Sequence, residues 1–212
     1  MRQDDDPPRQ DPASNLHGGL LSAVDPLSAL PHNLLKFDRE TAYTRLVVHG
    51  DGDEDAHAML EMLQPDQLLA VPIVRPDDAR AMLAGLWLWH DWLDQSHAIS
   101  QALEGPDGSF WHAILHRREG DFSNSKYWYA RVGHHPILAA IGANVAGEIH
   151  PLPADKSFLR LLRDGWNPDA FVDLVEDVSR LPDDPRLPTV IAIQRIEWQM
   201  LFDHCARQAV GK

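Results

Sequence analysis

Residues 83–131 read LAGLWLWHDWLDQSHAISQALEGPDGSFWHAILHRREGDFSNSKYWYAR. It contains five of the seven tryptophans of the chain, together with a high density of ionisable side chains. Gly105-Pro106 and Gly120 divide it into segments that each suit a helix, because glycine and proline commonly mark helix ends. We therefore predict two or three helices that fold against each other around a polar pocket.

The helix boundaries follow from capping residues. Asp77 and Asp78 come directly after Pro76, and nothing interrupts the pattern before Gly105, so residues 78–103 are predicted to form one long helix. A second helix is predicted over residues 109–118. A third is capped by Asp121 or Ser123 and ends at Gly133, while residues 189–209 form a last long helix.

The rest of the chain completes an all-α prediction. Residues 1–19 are acidic and proline-rich with little to bury, which predicts a disordered N-terminal tail. Residues 20–212 are predicted to form a single helical domain, an irregular helical bundle in which the two longest helices flank the His-rich hairpin. Shorter helices are expected in five further stretches, near residues 38–48, 56–63, 136–145, 158–163 and 169–180.

Composition excludes several functional classes. A formal net charge of −13 opposes binding to nucleic acid, and no apolar run approaches the roughly 20 residues of a membrane helix. The first twelve residues do not resemble a signal peptide, and the single cysteine, Cys205, has no partner for a disulfide, so a cytoplasmic location is expected. Cys205 lies in an apolar helical pattern, which favours a small buried side chain over a nucleophile.

One stripe of the first predicted helix changes character along its length. Spacings of three and four residues place on one face Leu83, Trp87, His90, Asp94, His97 and Gln101. Because a seam that faces the core normally stays apolar, the ionisable half is expected to face a polar cavity. The alternative is that each histidine is a satisfied structural group.

The second predicted helix carries His112 and His116 four residues apart, a spacing that directs both imidazoles to one point. Facing Asp94 and His97, they form a predicted metal site for a divalent transition metal, Zn²⁺, Fe²⁺ or Mn²⁺. The last helix offers Glu197 and His204 on one face as further ligands. His134-His135 could be another ligand pair, although their position favours cations near a helix end.

Catalytic and ligand-binding residues are predicted around the same pocket. The groups expected to act as acid, base or metal-linked catalysts are His90, Asp94, His112 and Glu119. The groups expected to hold a small anionic ligand are Trp111, Arg117, Arg118, Lys126 and Arg131, since guanidinium groups donate two parallel hydrogen bonds to carboxylate or phosphate. An internal network of ion pairs with Glu119 and Asp121 is an equal alternative for the two adjacent arginines.

Three local patterns favour a structural role over a catalytic or ligand-binding role. The acidic stretch at residues 50–57 lacks the glycine and glutamate of a calcium-binding EF-hand, so we interpret it as a turn that leads into a helix. Ser123-x-x-Lys126 matches an element of serine acyl-transfer enzymes, but a capping serine explains it better. The tryptophans are expected to fill the core rather than to stack on a sugar or base.

Known catalytic signatures are absent from the sequence, including HExxH, the P-loop, GxGxxG, GxSxG and paired CxxC. Residues 85–101 (GLWLWHDWLDQSHAISQ) and 109–136 (SFWHAILHRREGDFSNSKYWYARVGHHP) are nevertheless similar to a family of uncharacterised bacterial proteins. IEWQMLFDHC, residues 196–205, extends the resemblance. It implies a bacterial source and carries no activity, cofactor or catalytic residue.

Two functions are consistent with these patterns. The first is a metal-dependent, hydrolase-like enzyme with a pocket lined by histidine and aspartate that acts on a small anionic substrate. The second is a non-catalytic module that binds a small molecule or a protein, in which the polar cluster is structural.

Overall fold

A computed structural model describes residues 27–149 and 155–212, and over these residues the protein is all-α, as predicted. The described part contains isolated bridges but no strand. The predicted tail at residues 1–19 lies outside the described residues. The helices are α1 Ala29–Lys36, α2 Glu54–Glu61, α3 Pro76–Trp89, α4 Leu93–Ser100, α5 Pro106–Glu119, α6 Phe122–Val132, α7 Leu138–Ile149, α8 Lys156–Leu161, α9 Pro168–Ser179 and α10 Leu187–Ala209.

The prediction of one long helix over residues 78–103 is wrong, because the chain breaks between α3 and α4. Asp91 has a left-handed backbone, with φ 66°, and Trp92 N–H donates to the carbonyl of Trp87 at 3.0 Å instead of to Leu88. The Leu88 carbonyl accepts from Asp91 N–H at 3.1 Å, one residue short of the helical partner, and from Arg118 Nη1 at 2.6 Å. A side chain from α5 therefore adds a donor at the carbonyl where the helix ends and stabilises the break.

Local capping positions the hairpin of α5 and α6 as predicted. Gly120 ends α5 with φ 83°, a left-handed conformation that glycine adopts without strain. Asp121 then caps α6 by accepting a hydrogen bond from Asn124 N–H at 3.1 Å. Because the connection is this short, α5 and α6 pack as antiparallel neighbours.

The acidic stretch at residues 50–57 leads into a helix, as predicted. Asp53 caps α2 by accepting from Ala56 N–H at 2.9 Å. Gly52 lies so close to the end of α3 that an added Cβ would be 2.1 Å from the carbonyl oxygen of His90. The loop therefore needs glycine where it crosses the break between α3 and α4.

The core is built around α10, which packs against α3, α7 and α9. Trp198 of α10 stacks on Phe202 at 4.7 Å and donates its indole N–H to the Gly85 carbonyl at 2.8 Å. Trp89 and Trp111 pack beside Trp198. These aromatics are core side chains, as predicted, and Cys205 is buried among them as a small apolar group.

No helix among the described residues is long and apolar enough to cross a membrane.

Candidate functional site

Three imidazoles converge between α4 and α5. His97 comes from α4, and its ring centroid lies 4.7 Å from that of His112 and 5.5 Å from that of His116. One nitrogen from each ring lies within 4.8 Å of the other two. We call His97, His112 and His116 the tri-histidine cluster. The spacing of four residues on α5 and the short link to α4 bring these rings together, and the sequence pattern predicts both features.

The cluster holds His112 in its neutral form. The side chain is buried, and burial, followed by the nearby charges of His116 and His97, lowers its pKa to about 4. Its Nδ1 has no hydrogen-bond partner among the described residues. A neutral imidazole with an unused nitrogen is the form that binds a metal ion, because a protonated ring has no lone pair to donate.

Two polar neighbours orient His116. Glu119 lies 2.7 Å from its Nδ1, and the amide Nδ2 of Asn124 lies 3.1 Å from its Nε2. With Nδ1–H donating to the carboxylate, the lone pair is on Nε2, which accepts from the Asn124 amide. The carboxylate contact resembles the arrangement that holds a metal-ligating ring in one tautomer, and a metal ion at Nε2 would take the place of the Asn124 hydrogen bond. Asn124 was not among the residues predicted for the site, because its role depends on how α6 packs on α5.

His97 is edge-on to the other two rings, but His112 and His116 are stacked on each other rather than directed at a common point. His112 is nearly parallel to His116, at 4.7 Å and 21°, and to Trp128, at 4.0 Å and 15°. Tetrahedral zinc holds ligand nitrogens about 3.3 Å apart, so the rings must rotate and approach to share an ion. Leaving the stack costs about 0.5–1.5 kcal/mol, whereas zinc binding to a structural site yields about 10–16 kcal/mol. The stack is therefore no obstacle to binding.

Asp94, predicted as both metal ligand and catalytic residue, does not join the cluster. It lies in the first turn of α4 and is exposed, because the break after α3 takes it out of the predicted stripe. Asp94 lines a cavity of about 360 Å³ together with Glu119, which also contacts the cluster through His116. The two predicted carboxylates thus meet at a cavity beside the histidines, not at the ligand atoms.

His90 is also separated from the cluster by the break. It is buried at the end of α3 and lines a different cavity, of about 400 Å³, with Asp38, Asp53 and Arg45. Burial lowers its pKa, so that the ring is neutral at pH 7, and its Nε2 has no partner among the described residues. Asp91 lines both cavities and lies between them. The predicted continuous stripe from His90 to His97 is therefore wrong.

Arg117 and Arg118, predicted to hold an anionic ligand, are instead fully buried structural groups. Arg117 Nη2 lies 2.5 Å from a carboxylate oxygen of Glu197, and Arg117 Nη1 donates to the Tyr129 hydroxyl at 2.7 Å. Both guanidinium groups have 0% exposed side chains, so neither can reach a ligand in solvent. The alternative prediction, that both arginines form internal ion pairs, is confirmed, but their partners are not Glu119 and Asp121.

Arg118 has its own buried partners. It forms an ion pair with Asp91 and donates to the carbonyls of Leu88 and Arg45, at 2.6 and 3.1 Å. Its guanidinium carbon lies 4.1 Å from the ring centroid of Tyr43. Asp91 also accepts from Arg45 Nε at 2.7 Å. This network connects α5 to the break between α3 and α4. Arg118 therefore does not act as a hydrogen-bond donor to a substrate.

The remaining predicted ligand-binding residues are not part of the cluster. Trp111 is fully buried in the core, and Lys126 forms an ion pair with Asp173 of α9. Arg131 is exposed and lies 5.2 Å above the ring of Trp128. Ser123 is the second residue of α6 and donates to the Asp121 carboxylate at 3.0 Å, so the cap of this helix is Asp121 and not Ser123.

Comparison with known proteins finds no matching family model, no matching curated protein and no matching solved structure. The resemblance of residues 85–101 and 109–136 to uncharacterised bacterial proteins therefore stays a prediction.

Proposed function

We propose that the tri-histidine cluster binds one divalent transition metal ion, with Zn²⁺ as the best fit. The observation that carries this proposal is the convergence of three imidazole nitrogens within 4.8 Å, drawn from two helices. The neutral state of His112 and the Glu119 contact to His116 support it, because both prepare imidazoles as ligands.

The ligand set favours a hydrolytic metal site over a structural one. Three imidazoles leave a fourth position of a tetrahedral zinc ion open for water, and zinc lowers the pKa of that water to about 7. Glu119 and Asp94 line the adjacent cavity of about 360 Å³, where a substrate can approach. In this proposal Glu119 is the carboxylate that orients His116, and Asp94 is an acid or base group at the cavity wall.

The cavity does not support the anionic substrate expected from the arginines. Its described lining contains four carboxylates, from Asp51, Asp91, Asp94 and Glu119, and no lysine or arginine. Asp91 is neutralised by Arg45 and Arg118, which leaves a net negative wall. The three remaining carboxylates, from Asp51, Asp94 and Glu119, outweigh the double positive charge of one bound Zn²⁺, so the substrate class that fits this wall is neutral or cationic.

Zinc uptake by metal-free protein tests the proposal. We expect the double variant His97→Ala, His116→Ala to bind one equivalent of Zn²⁺ fewer than the wild type by calorimetric titration. His49→Ala provides the matched control, because His49 is an exposed histidine outside the cluster. Equal zinc uptake by the wild type and a double variant that keeps its far-ultraviolet circular dichroism would contradict the proposal.

A non-catalytic module is the second candidate, and the stack of His112 between Trp128 and His116 favours it. If these rings serve only packing, the double variant loses thermal stability and zinc shifts the melting temperatures of the wild type and the double variant equally. If the cluster binds metal, zinc raises the melting temperature of the wild type more than that of the double variant. Melting curves with and without zinc separate the two candidates.

A further inference from the structure

A second group of ligand-type side chains lies at the other end of α5. Asp107 in the first turn of α5, His135 in the link between α6 and α7, and His204 on α10 bring one oxygen and two nitrogens within 4.8 Å of one another. The Asp107 Oδ1 atom is 2.8 Å from His135 Nε2 and 3.4 Å from His204 Nε2. We call these three residues the Asp107 triad.

The triad is built from three separate elements, and each is held in place. Pro136 follows His135 and keeps it out of a continuing helix, while the His135 ring packs edge-on against Phe110 at 5.4 Å. The exposed side-chain fractions are 1% for His135, 13% for His204 and 19% for Asp107. The group is therefore preorganised, with access to solvent mainly through the carboxylate.

The ring geometry suits a shared ion better than that of the tri-histidine cluster. The His135 and His204 rings are 4.9 Å apart and inclined by 69°, so they are not stacked and their in-plane lone pairs can be directed at one point. A carboxylate and two imidazoles form the ligand set of sites that leave coordination positions open.

The ordinary structural explanation accounts for only part of this arrangement. An aspartate in the first turn of a helix stabilises the helix dipole, and a hydrogen bond to one histidine would satisfy it. Here a single carboxylate oxygen faces two imidazoles. Asp107 also lines a cavity of about 430 Å³, which provides a route by which an ion or ligand reaches the group.

Metal binding requires the His135 ring to change tautomer. Ile137 N–H points at His135 Nδ1 from 3.4 Å, which leaves the proton of the neutral ring on Nε2, donating to Asp107. A metal ion can bind Nε2 once that proton has moved to Nδ1, so that the ring stays neutral and donates its Nε2 lone pair. The ring would then lose the contact between Nδ1 and Ile137 N–H, which at 3.4 Å is long for a hydrogen bond and therefore weak.

The triad and the tri-histidine cluster would hold separate ions. Asp107 and His112 are five residues apart on α5, which corresponds to about 7.5 Å along the helix axis and roughly 140° around it. Metal ions that share a two-metal site are about 3.5–4 Å apart. The two groups lie on different faces of α5 and cannot form such a site.

From this geometry we infer that Asp107, His135 and His204 form a second binding site for a divalent first-row transition metal, open toward the cavity beside Asp107. The inference does not depend on the tri-histidine cluster. It predicts a ligand set of two imidazoles and one carboxylate, which suits Fe²⁺, Mn²⁺ or Zn²⁺.

The test uses the full chain carrying His97→Ala and His116→Ala, so that the first cluster cannot contribute. Titrated with Co²⁺ under reducing conditions, this protein is expected to bind one equivalent and to develop visible d–d absorption. Adding His204→Ala should abolish that equivalent, and adding His134→Ala should not, since His134 is exposed and neighbours the ligand His135.

A second substitution keeps the test decisive if His204→Ala disturbs α10. Asp107→Asn preserves size and removes only the charge, and we expect at least about tenfold weaker Co²⁺ binding in the same background. Absence of any Co²⁺ uptake, or uptake that neither His204→Ala nor Asp107→Asn changes, would overturn the inference. Because the first cluster is removed throughout, that result leaves the proposed zinc site unaffected.

Discussion

At the scale of single residues, burial decides the chemistry more than residue type does. His112 and His134 are both histidines of the His-rich hairpin, yet His112 is buried with a pKa of about 4 and His134 is exposed. Arg117 makes the same point. Its sequence context suggests an anion ligand, whereas Glu197, eighty residues away, pairs with it inside the core. The sequence indicates which side chains can take part in chemistry, but it does not predict which of them are buried or which residues they contact.

The pKa of His112 predicts a pH dependence of stability in the metal-free protein. In the folded protein the pKa is about 4, below the ordinary histidine value of 6.5, so the unfolded state binds the proton first as pH falls. Stability is therefore complete above pH 6.5 and is lost as pH decreases from 6.5 to 4. The His112→Phe variant keeps an aromatic ring on Trp128 but cannot be protonated.

Across that pH window we expect the free energy of unfolding of the wild type to fall by about 1–3 kcal/mol more than that of the His112→Phe variant. Urea denaturation at each pH provides the measurement. The difference between the two proteins isolates His112 from the carboxylates that titrate in the same range. If both proteins lose the same stability as pH falls, protonation of His112 does not destabilise the folded state.

At the scale of helices, local signals predict ends well and internal breaks badly. Gly120 and Asp121 mark the α5–α6 link in the sequence alone, and the structure confirms both. Residues 90–92 contain no glycine or proline, so the sequence does not predict the break there. It exists because Arg118 reaches the Leu88 carbonyl and the Asp91 carboxylate, contacts that only tertiary packing creates.

Removing Arg118 should therefore destabilise the break. Arg118→Leu leaves the buried Asp91 carboxylate with Arg45 alone and the Leu88 carbonyl without its charged donor. We expect a loss of about 3–5 kcal/mol in the free energy of unfolding, as for one partner of a buried ion pair. Chemical denaturation provides the measurement.

The matched control for that substitution is Arg80→Leu, because Arg80 forms a partly exposed ion pair with Asp77 on the surface of α3. Its loss should cost less than about 1 kcal/mol. Similar destabilisation by the two substitutions would mean that the buried network does not hold the junction of α3 and α4.

At the scale of the whole molecule, the all-α class follows from the sequence and is confirmed, while the sites depend on how distant segments meet. The tri-histidine cluster could be anticipated because His97, His112 and His116 lie on neighbouring helices joined by a short link. The Asp107 triad could not, since its members come from residues 107, 135 and 204. Histidines on α10 and before α7 suggested ligands, but nothing in their spacing related them to Asp107.

Anomalous diffraction from crystals of zinc-loaded protein tests the central claim, that His97, His112 and His116 bind a metal ion. The account predicts a zinc peak with nitrogens of all three rings at about 2.0–2.1 Å, and with the His112 ring rotated away from Trp128. If zinc is present in excess, yet no peak lies between these rings and His112 remains stacked on Trp128, the claim is wrong.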